Sequence, residues 1–362
     1  MNQWPTWLPL RQNLRELSPY GAPQLPADAV MNTNENPYAP SPALAQAIAD
    51  RVSEVALTLN RYPDRDAVVL RTKLADFING LSGTDFDSTN IWAANGSNEI
   101  IQSLFMAFGG GTALGFTPSY SMHPLIAKVT QVQWLNGKRR DDFTLDVDSA
   151  IEQIQRDKPT LTFITTPNNP TGSSLTIDEI EKIARLTSGL LIVDEAYAEF
   201  SDEKSAATLI KKYPHVVVIR TMSKAFAFAG VRLGYLVADR AVIESMFLVR
   251  LPYHLSALTQ AAAEVAIDFK DELLGTVAQL RADRNRVAKE LTDMGLTVIP
   301  SASNFLLFSG FDMSSAQLWQ AMLDRGVLIR DVGLLGYLRV TIGNEAENNK
   351  FLSTLSACLG EK

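Results

Sequence analysis

The stretch LTFITTPNNPTGSSLTIDEIEKIARLTSGLLIV, residues 161–193, decides the fold class. Its opening run, Leu161 to Thr165, is apolar or β-branched throughout, as a strand requires. Thr176 and Glu179 then stand at the spacing of a capping box, in which each side chain satisfies a free amide at a helix start. Ile177, Ile180, Ile183 and Ala184 recur at helical spacing, and Gly189 is expected to stop the helix. Leu190 to Val193 is a second strand, and its unbroken apolarity fits burial on both faces of a sheet. Strand, helix and strand in such short order predict a parallel sheet with crossover helices.

Outward from this unit the pattern continues. Val216–Ile219 and Leu233–Val237 read as further strands. Upstream, Ile91–Ala94 is a strand that turns through Asn95-Gly96 into a helix over Ser97–Phe108, a junction that presents backbone amides to an anion. Ser41-Pro42 opens another helix, with serine as cap and proline at the first helical position. After Ser256 one long helical stretch is expected to about Asp293. The tail from Leu296 to Leu359 then alternates strand and helix, including Asn304–Phe308 and Leu338–Ile342. These shifts predict an arm contributing to a small domain over 1–50, a large α/β domain over 51–257, and an interdomain helix with a smaller α+β domain over 258–362.

Composition narrows the function classes. A chain of 362 residues with 46% hydrophobic and 20% charged residues can bury a substantial core. Its net charge of -7 opposes the phosphates of nucleic acids, and the basic run Lys138-Arg139-Arg140, followed by Asp141-Asp142, reads as a solvated turn. Cys358 is the single cysteine, which rules out an intrachain disulfide and a thiolate metal cluster and suggests a reducing compartment. His123, His215 and His254 show no metal-ligand spacing, so no metal is expected. Met1 to Arg11 lacks the layout of a signal peptide, and no apolar run reaches the roughly 18 residues of a membrane span. A soluble cytoplasmic protein is the expectation.

Four segments fall in order at strand ends or just beyond them, where open α/β sheets bind ligands: Asn168-Asn-Pro-Thr-Gly172, Asp194-Glu-Ala-Tyr197, Ser223-Lys224 and Arg232. With them stand the segment from Leu14-Arg15 to Tyr20-Gly21, Asn32-Thr-Asn-Glu-Asn-Pro37, Asn60-Arg-Tyr-Pro-Asp64, Asn95-Gly-Ser-Asn-Glu99, Pro118-Ser-Tyr120 and Leu338-Arg-Val-Thr-Ile-Gly343. Over nearly its whole length the chain resembles the fold type I aminotransferases, and within them the histidinol-phosphate aminotransferases.

That resemblance implies a three-layer α/β/α domain with a mostly parallel sheet, a smaller α+β domain, and pyridoxal 5'-phosphate as cofactor. It implies that Lys224 holds the cofactor covalently and later moves the substrate proton as a free amine, while Asp194 keeps the pyridine nitrogen protonated. Tyr197 and Asn169 would bond the ring's phenolate oxygen, and Tyr120 would stack on the ring. Arg232, Thr221 and Ser223, with the turn Gly96, Ser97 and Asn98, would hold the cofactor phosphate. Tyr62 would reach the cofactor of a neighbouring subunit, which requires a homodimer.

For the substrate, Arg339 resembles the arginine that grips a carboxylate. Tyr20, Asn98, Asn169, Tyr253 and Arg330 complete the implied pocket. The implied reaction is amino transfer between L-histidinol phosphate and 2-oxoglutarate, giving imidazole acetol phosphate and glutamate. Two other reactions stay open at this point, aromatic-amino-acid amino transfer and phosphothreonine decarboxylation. A regulatory descendant would need a fused DNA-binding module, and none is recognisable in this sequence.

Overall fold

A computed structural model describes residues 4–360; the part of the N-terminal reading that falls on residues 1–3 lies outside it. Twelve strands form three sheets among the described residues. The large sheet contains β2 (Ile91–Ala94), β3 (Thr112–Thr117), β4 (Gln133–Lys138), β5 (Leu161–Thr165), β6 (Leu190–Asp194), β7 (Val216–Thr221) and β8 (Gly234–Val237). Their order is β2-β8-β7-β6-β5-β3-β4. All run parallel except β8, which is antiparallel to both of its neighbours.

The strands alternate their side chains between two buried faces. Leu191, Val193, Val216 and Val218 enter one core, while Ile192, Val217, Ile219, Phe163 and Leu236 enter the other with Trp92 and Phe105. This is why Leu190–Val193 and Val216–Ile219 read as unbroken apolar runs.

Two smaller sheets follow. β1 (Ala29–Val30) pairs with β11 (Val327–Leu328), and β10 (Phe305–Ser309) lies between β9 (Thr297–Val298) and β12 (Leu338–Thr341). The arm is thereby tied to the C-terminal part of the chain, with Met31 N donating to Leu328 O and Thr341 N to Met31 O.

The capping box forms as read: Thr176 accepts from Glu179 N while Glu179 Oε2 accepts from Thr176 N, over the helix Ile177–Leu186. Ser41 likewise caps Pro42–Ala56, and Ser97–Phe108 is helical. Three readings need correction. The helix before β6 ends at Thr187, whose backbone is extended, and Gly189 instead allows close packing, since a Cβ there would lie 2.4 Å from Pro159 O. The long helical stretch after Ser256 is two helices, Ala257–Asp268 and Lys270–Asp293, separated at Phe269. Arg139 is not solvated: it is half-buried, donates to Phe116 O and Phe143 O, and burial pushes its guanidinium down to about 10.

Candidate active site

The carboxyl ends of β3, β5, β6 and β7 open onto a cavity of about 610 Å³. It is lined by side chains from all four anticipated segments, Asn169, Asp194, Tyr197, Ser223, Lys224 and Arg232, and by Arg339 of β12. Tyr20, Ser97, Asn98, Tyr120, Thr221 and Arg330 also face it.

The loop from Met222 to Leu233 joins antiparallel β7 to β8, and Lys224 lies within it. Lys224 Nζ donates to Thr33 O at 2.8 Å. Burial pushes its ammonium down to about 8; the charges of Arg339 and Arg232 act the same way, and Glu35 opposes them. The site therefore favours a neutral, nucleophilic amine at a far lower pH than an exposed lysine would.

Asp194 ends β6 and is 2% exposed. Its Oδ1 accepts from Ala196 N at 3.2 Å, and its Oδ2 from His123 Nε2 at 3.1 Å. His123 is equally buried, with its ring 4.8 Å from that of Phe163. The sequence alone does not point to this contact, because the spacing of the three histidines indicates neither a metal site nor a carboxylate partner. The available signal was its position three residues beyond Tyr120 on the same loop-to-helix turn.

Above the carboxylate, Tyr197 OH accepts from Asn34 Nδ2 at 2.8 Å and from Asn169 Nδ2 at 3.3 Å. Asn169 Oδ1 in turn accepts from Arg339 Nη1 at 2.6 Å, and Asn34 Oδ1 from Thr341 Oγ1 at 3.1 Å. Residues far apart in sequence thus form two chains of hydrogen bonds that meet at the Tyr197 oxygen. Asn34 was legible only as part of a motif, since no local pattern assigns its side chain to Tyr197. Burial pushes the Tyr197 phenol up to about 12 and the Arg339 guanidinium down to about 10, the latter aided by Arg330. Arg330 and Arg339 are direct antiparallel neighbours, so two cations share one wall.

The anion end is built by close approach. Gly96 has φ +80°, and a Cβ there would lie 2.8 Å from Arg232 Nη2. Gly234 of β8 presses on the same turn, where a Cβ would lie 2.5 Å from Ser97 N. The start of Ser97–Phe108, Arg232 and the hydroxyls of Thr221 and Ser223 therefore surround one end of the cavity. Tyr120 OH donates to Asn98 Oδ1 at 3.1 Å, joining this turn to the β3 loop.

Tyr62 and Tyr253 do not line this cavity. They stack on one another with ring centres 4.3 Å apart, 79% and 40% exposed, and Tyr253 adopts φ +55°.

The sequence profile of the family described as "Aminotransferase class I and II" matches residues 29–355. The chain belongs to that family. The aminotransferase is 56% identical over 350 residues to the histidinol-phosphate aminotransferase of Mycolicibacterium smegmatis, covering 96% of this chain and 92% of that one. Among solved structures, the histidinol-phosphate aminotransferase of Sinorhizobium meliloti in complex with pyridoxal-5'-phosphate superposes with a TM-score of 0.85 at 23% identity, covering 97% of each chain. The L-threonine-O-3-phosphate decarboxylase of Porphyromonas gingivalis superposes with a TM-score of 0.80 at 22% identity, covering 92% of this chain and all of that one. At such identities the superpositions establish the fold alone.

Aminotransferases of this family use pyridoxal 5'-phosphate, and the residues present fit it. A side chain at Gly96 would collide with Arg232, as expected where backbone must approach a phosphate closely. A buried carboxylate at Asp194 and a buried amine at Lys224 are the groups that the cofactor's ring nitrogen and aldehyde require. Among the described residues no cluster could hold a metal ion.

Proposed function

We propose that the aminotransferase exchanges an amino group between L-histidinol phosphate and 2-oxoglutarate in histidine biosynthesis, giving imidazole acetol phosphate and glutamate. The carrying observation is 56% identity across almost the full length of an enzyme of that name, because the fold is shared with a decarboxylase as well. When bound, the cofactor supplies an aldehyde carbon for the substrate amine and a ring that accepts electrons as the Cα proton leaves. Lys224, Asp194, Tyr197, Asn169 and Arg232 are assigned to it, with Gly96, Ser97, Asn98, Thr221 and Ser223 around its phosphate and Tyr120 against its ring.

Each residue then has a physical task. Lys224 carries the proton to and from the substrate Cα, for which an amine whose ammonium burial pushes down to about 8 is suited, since it exchanges a proton near neutral pH. Asp194, oriented by His123, holds a proton on the ring nitrogen. Arg339, with Arg330 behind it, receives the phosphate of one substrate and a carboxylate of the other, so a single cationic wall serves both half-reactions. Tyr20, Asn98 and Asn169 complete the substrate pocket.

We also assign the active form to a homodimer in the cytoplasm, with an arm over 1–50 that contributes to the small domain, a large domain over 51–257, and an interdomain helix with the rest of the small domain over 258–362. Leu57, Leu248 and Leu251 are 87%, 85% and 74% exposed, on segments that the ion pair Arg250–Asp66 and the Tyr62–Tyr253 stack hold together. An apolar face of this kind calls for a partner surface. A second copy there would bring the tyrosine pair towards its own cavity. No helix among the described residues is long and apolar enough to cross a membrane.

Product analysis of the half-reaction tests the substrate assignment. One equivalent of imidazole acetol phosphate should form per site from histidinol phosphate without added oxo acid, faster than the corresponding product from phenylalanine. Carbon dioxide release from phosphothreonine at a comparable rate would transfer the assignment to the decarboxylase.

A further inference from the structure

Consecutive strand residues face opposite sides of a sheet, so the partners of the catalytic residues lie behind them. At the end of β7, Thr221 lines the catalytic cavity, while Arg220 lines a separate cavity of about 640 Å³. At the end of β6, Asp194 faces the catalytic cavity and Glu195 the far side. Asp194 and Ile219 are register partners, which places Glu195 beside Arg220.

Arg220 Nη2 lies 2.8 Å from Glu195 Oε2, and Nη1 lies 2.9 Å from Glu199 Oε1. All three side chains are between 3% and 5% exposed. Glu195 also accepts from Ser205 Oγ at 2.8 Å and Ala206 N at 2.6 Å. On its other flank Arg220 faces Tyr235, its cross-strand partner on β8. The guanidinium therefore does not embrace one carboxylate; it spans two, and Arg220 Nε and Glu199 Oε2 have no partner.

We propose that Arg220 is a positioning residue, which by gripping Glu195 and Glu199 with separate arms sets the strand end of Asp194 and the turn of Tyr197 against the loop of Lys224. Buried ion triads are a poor source of stability, since apolar residues of equal volume can serve as well or better. What this one adds is spacing. Glu195 adjoins Asp194, Glu199 lies two residues beyond Tyr197, and Arg220 lies four before Lys224. Burial raises the Glu199 carboxyl and the Arg220 charge draws it back, so the turn is held where its own desolvation would release it.

The inference rests on the roles given above to Lys224, Asp194 and Tyr197, and Lys224→Ala is carried as the control for them. Arg220→Lys keeps the charge but offers one ammonium, which cannot span both carboxylates. The holoenzyme variant should lose about 10- to 100-fold in kcat, the scale on which small misplacements of reacting groups cost rate. KM for both substrates should stay within about threefold. In the cofactor-free protein, amine-selective acylation of Lys224 across pH, read by peptide mass spectrometry, should show its midpoint move up from about 8, because a loosened loop admits water. Glu199→Gln retains an acceptor for Nη1 and should remain within about threefold of wild-type kcat. An Arg220→Lys enzyme that loses only thermal stability, with kcat and the acylation midpoint unchanged, overturns the proposal. A Glu199→Gln enzyme as impaired as Arg220→Lys also overturns it, since charge and not grip would then be the active feature. If Arg220→Lys does not fold, Glu199→Ala cuts only the arm to the Tyr197 turn: a fall in kcat at retained KM supports the proposal, and an unchanged kcat overturns it. An active Lys224→Ala enzyme would instead remove the site assignment itself.

Discussion

Lys224 carries an energetic cost that can be measured without the cofactor. Its ammonium is pushed down to about 8 by burial, so between about pH 8 and its ordinary value near 10.5 the unfolded chain binds the proton and the folded one does not. Folding stability from this group therefore rises with pH across that window, and below it the full penalty applies. Lys224→Met should make the cofactor-free protein more stable at pH 7 by on the order of 1–3 kcal/mol, discounted for the side chain's partial exposure. The gain should fade by about pH 10.5; thermal unfolding at pH 7 and 10 reads it directly, and a destabilised variant at pH 7 would contradict the burial. Asp194→Asn should retain the cofactor yet slow Cα proton removal by about 10²-fold or more, since its charge matters most as the electrons shift. A single-turnover rate equal to wild type would release Asp194 from that role. Asn98, whose Oδ1 accepts from Tyr120, is expected to favour the phosphorylated substrate because an aspartate there would repel its phosphate. Asn98→Asp should lower kcat/KM for histidinol phosphate more than for an unphosphorylated amino acid; equal losses would leave it a structural cap. Residues whose chemistry is local, such as Lys224 at a strand-end loop, could be read from sequence. His123 and Asn34 could not, because their partners lie 71 and 163 residues away.

Among the elements, the turn between β2 and Ser97–Phe108 leaves little room for added atoms on the cavity side. Gly96→Ala combines a positive φ with a Cβ placed against Arg232 Nη2, and one of the two must move. Cofactor affinity should fall at least about tenfold with little change in the fold, because the phosphate loses a backbone approach and a guanidinium together. Equilibrium binding of pyridoxal 5'-phosphate, compared with far-UV circular dichroism, separates that outcome from unfolding. Strands and caps were legible in the sequence because period and capping chemistry are written locally, as Thr176 and Glu179 show. The break at Phe269 was not, since no glycine or proline marks it. Ala257–Asp268 packs against Pro42–Ala56 and Val68–Ser82, while Lys270–Asp293 packs towards Glu345–Gly360, and only tertiary packing separates the two. The reversed direction of β8 was equally hidden, because an apolar run does not state which way it pairs.

In the whole molecule, the exposed stack of Tyr62 on Tyr253 lies outside the cavity of its own chain, and the homodimer proposed above would give it a site to reach. Heterodimers mixing Tyr62→Phe with Lys224→Ala should recover about half the wild-type activity per dimer if Tyr62 acts across the interface, since both lesions then fall in one site and the other is intact. Activity no higher than half that of the Tyr62→Phe homodimer would place Tyr62 within its own subunit, because each site then carries one lesion and none is intact. The sequence carried the motif but not the surface, which forms only when residues 57–69 meet 247–253. The hydrogen-bond network around Tyr197 is the clearest case of chemistry that exists only at this scale. Its bonds all run one way: Arg339 donates to Asn169 and Thr341 to Asn34, and both amides donate to the phenol oxygen. With both lone pairs taken, that oxygen has no acceptor capacity left, and its own hydrogen has a single outlet, the cavity. Polarisation along the two branches adds at that hydrogen. With Arg339 and Tyr197 in the roles proposed above, an anion arriving at Arg339 would reach the cofactor side as a change in how strongly Tyr197 offers its proton, so substrate binding and the electronic state of the cofactor would share one conductor.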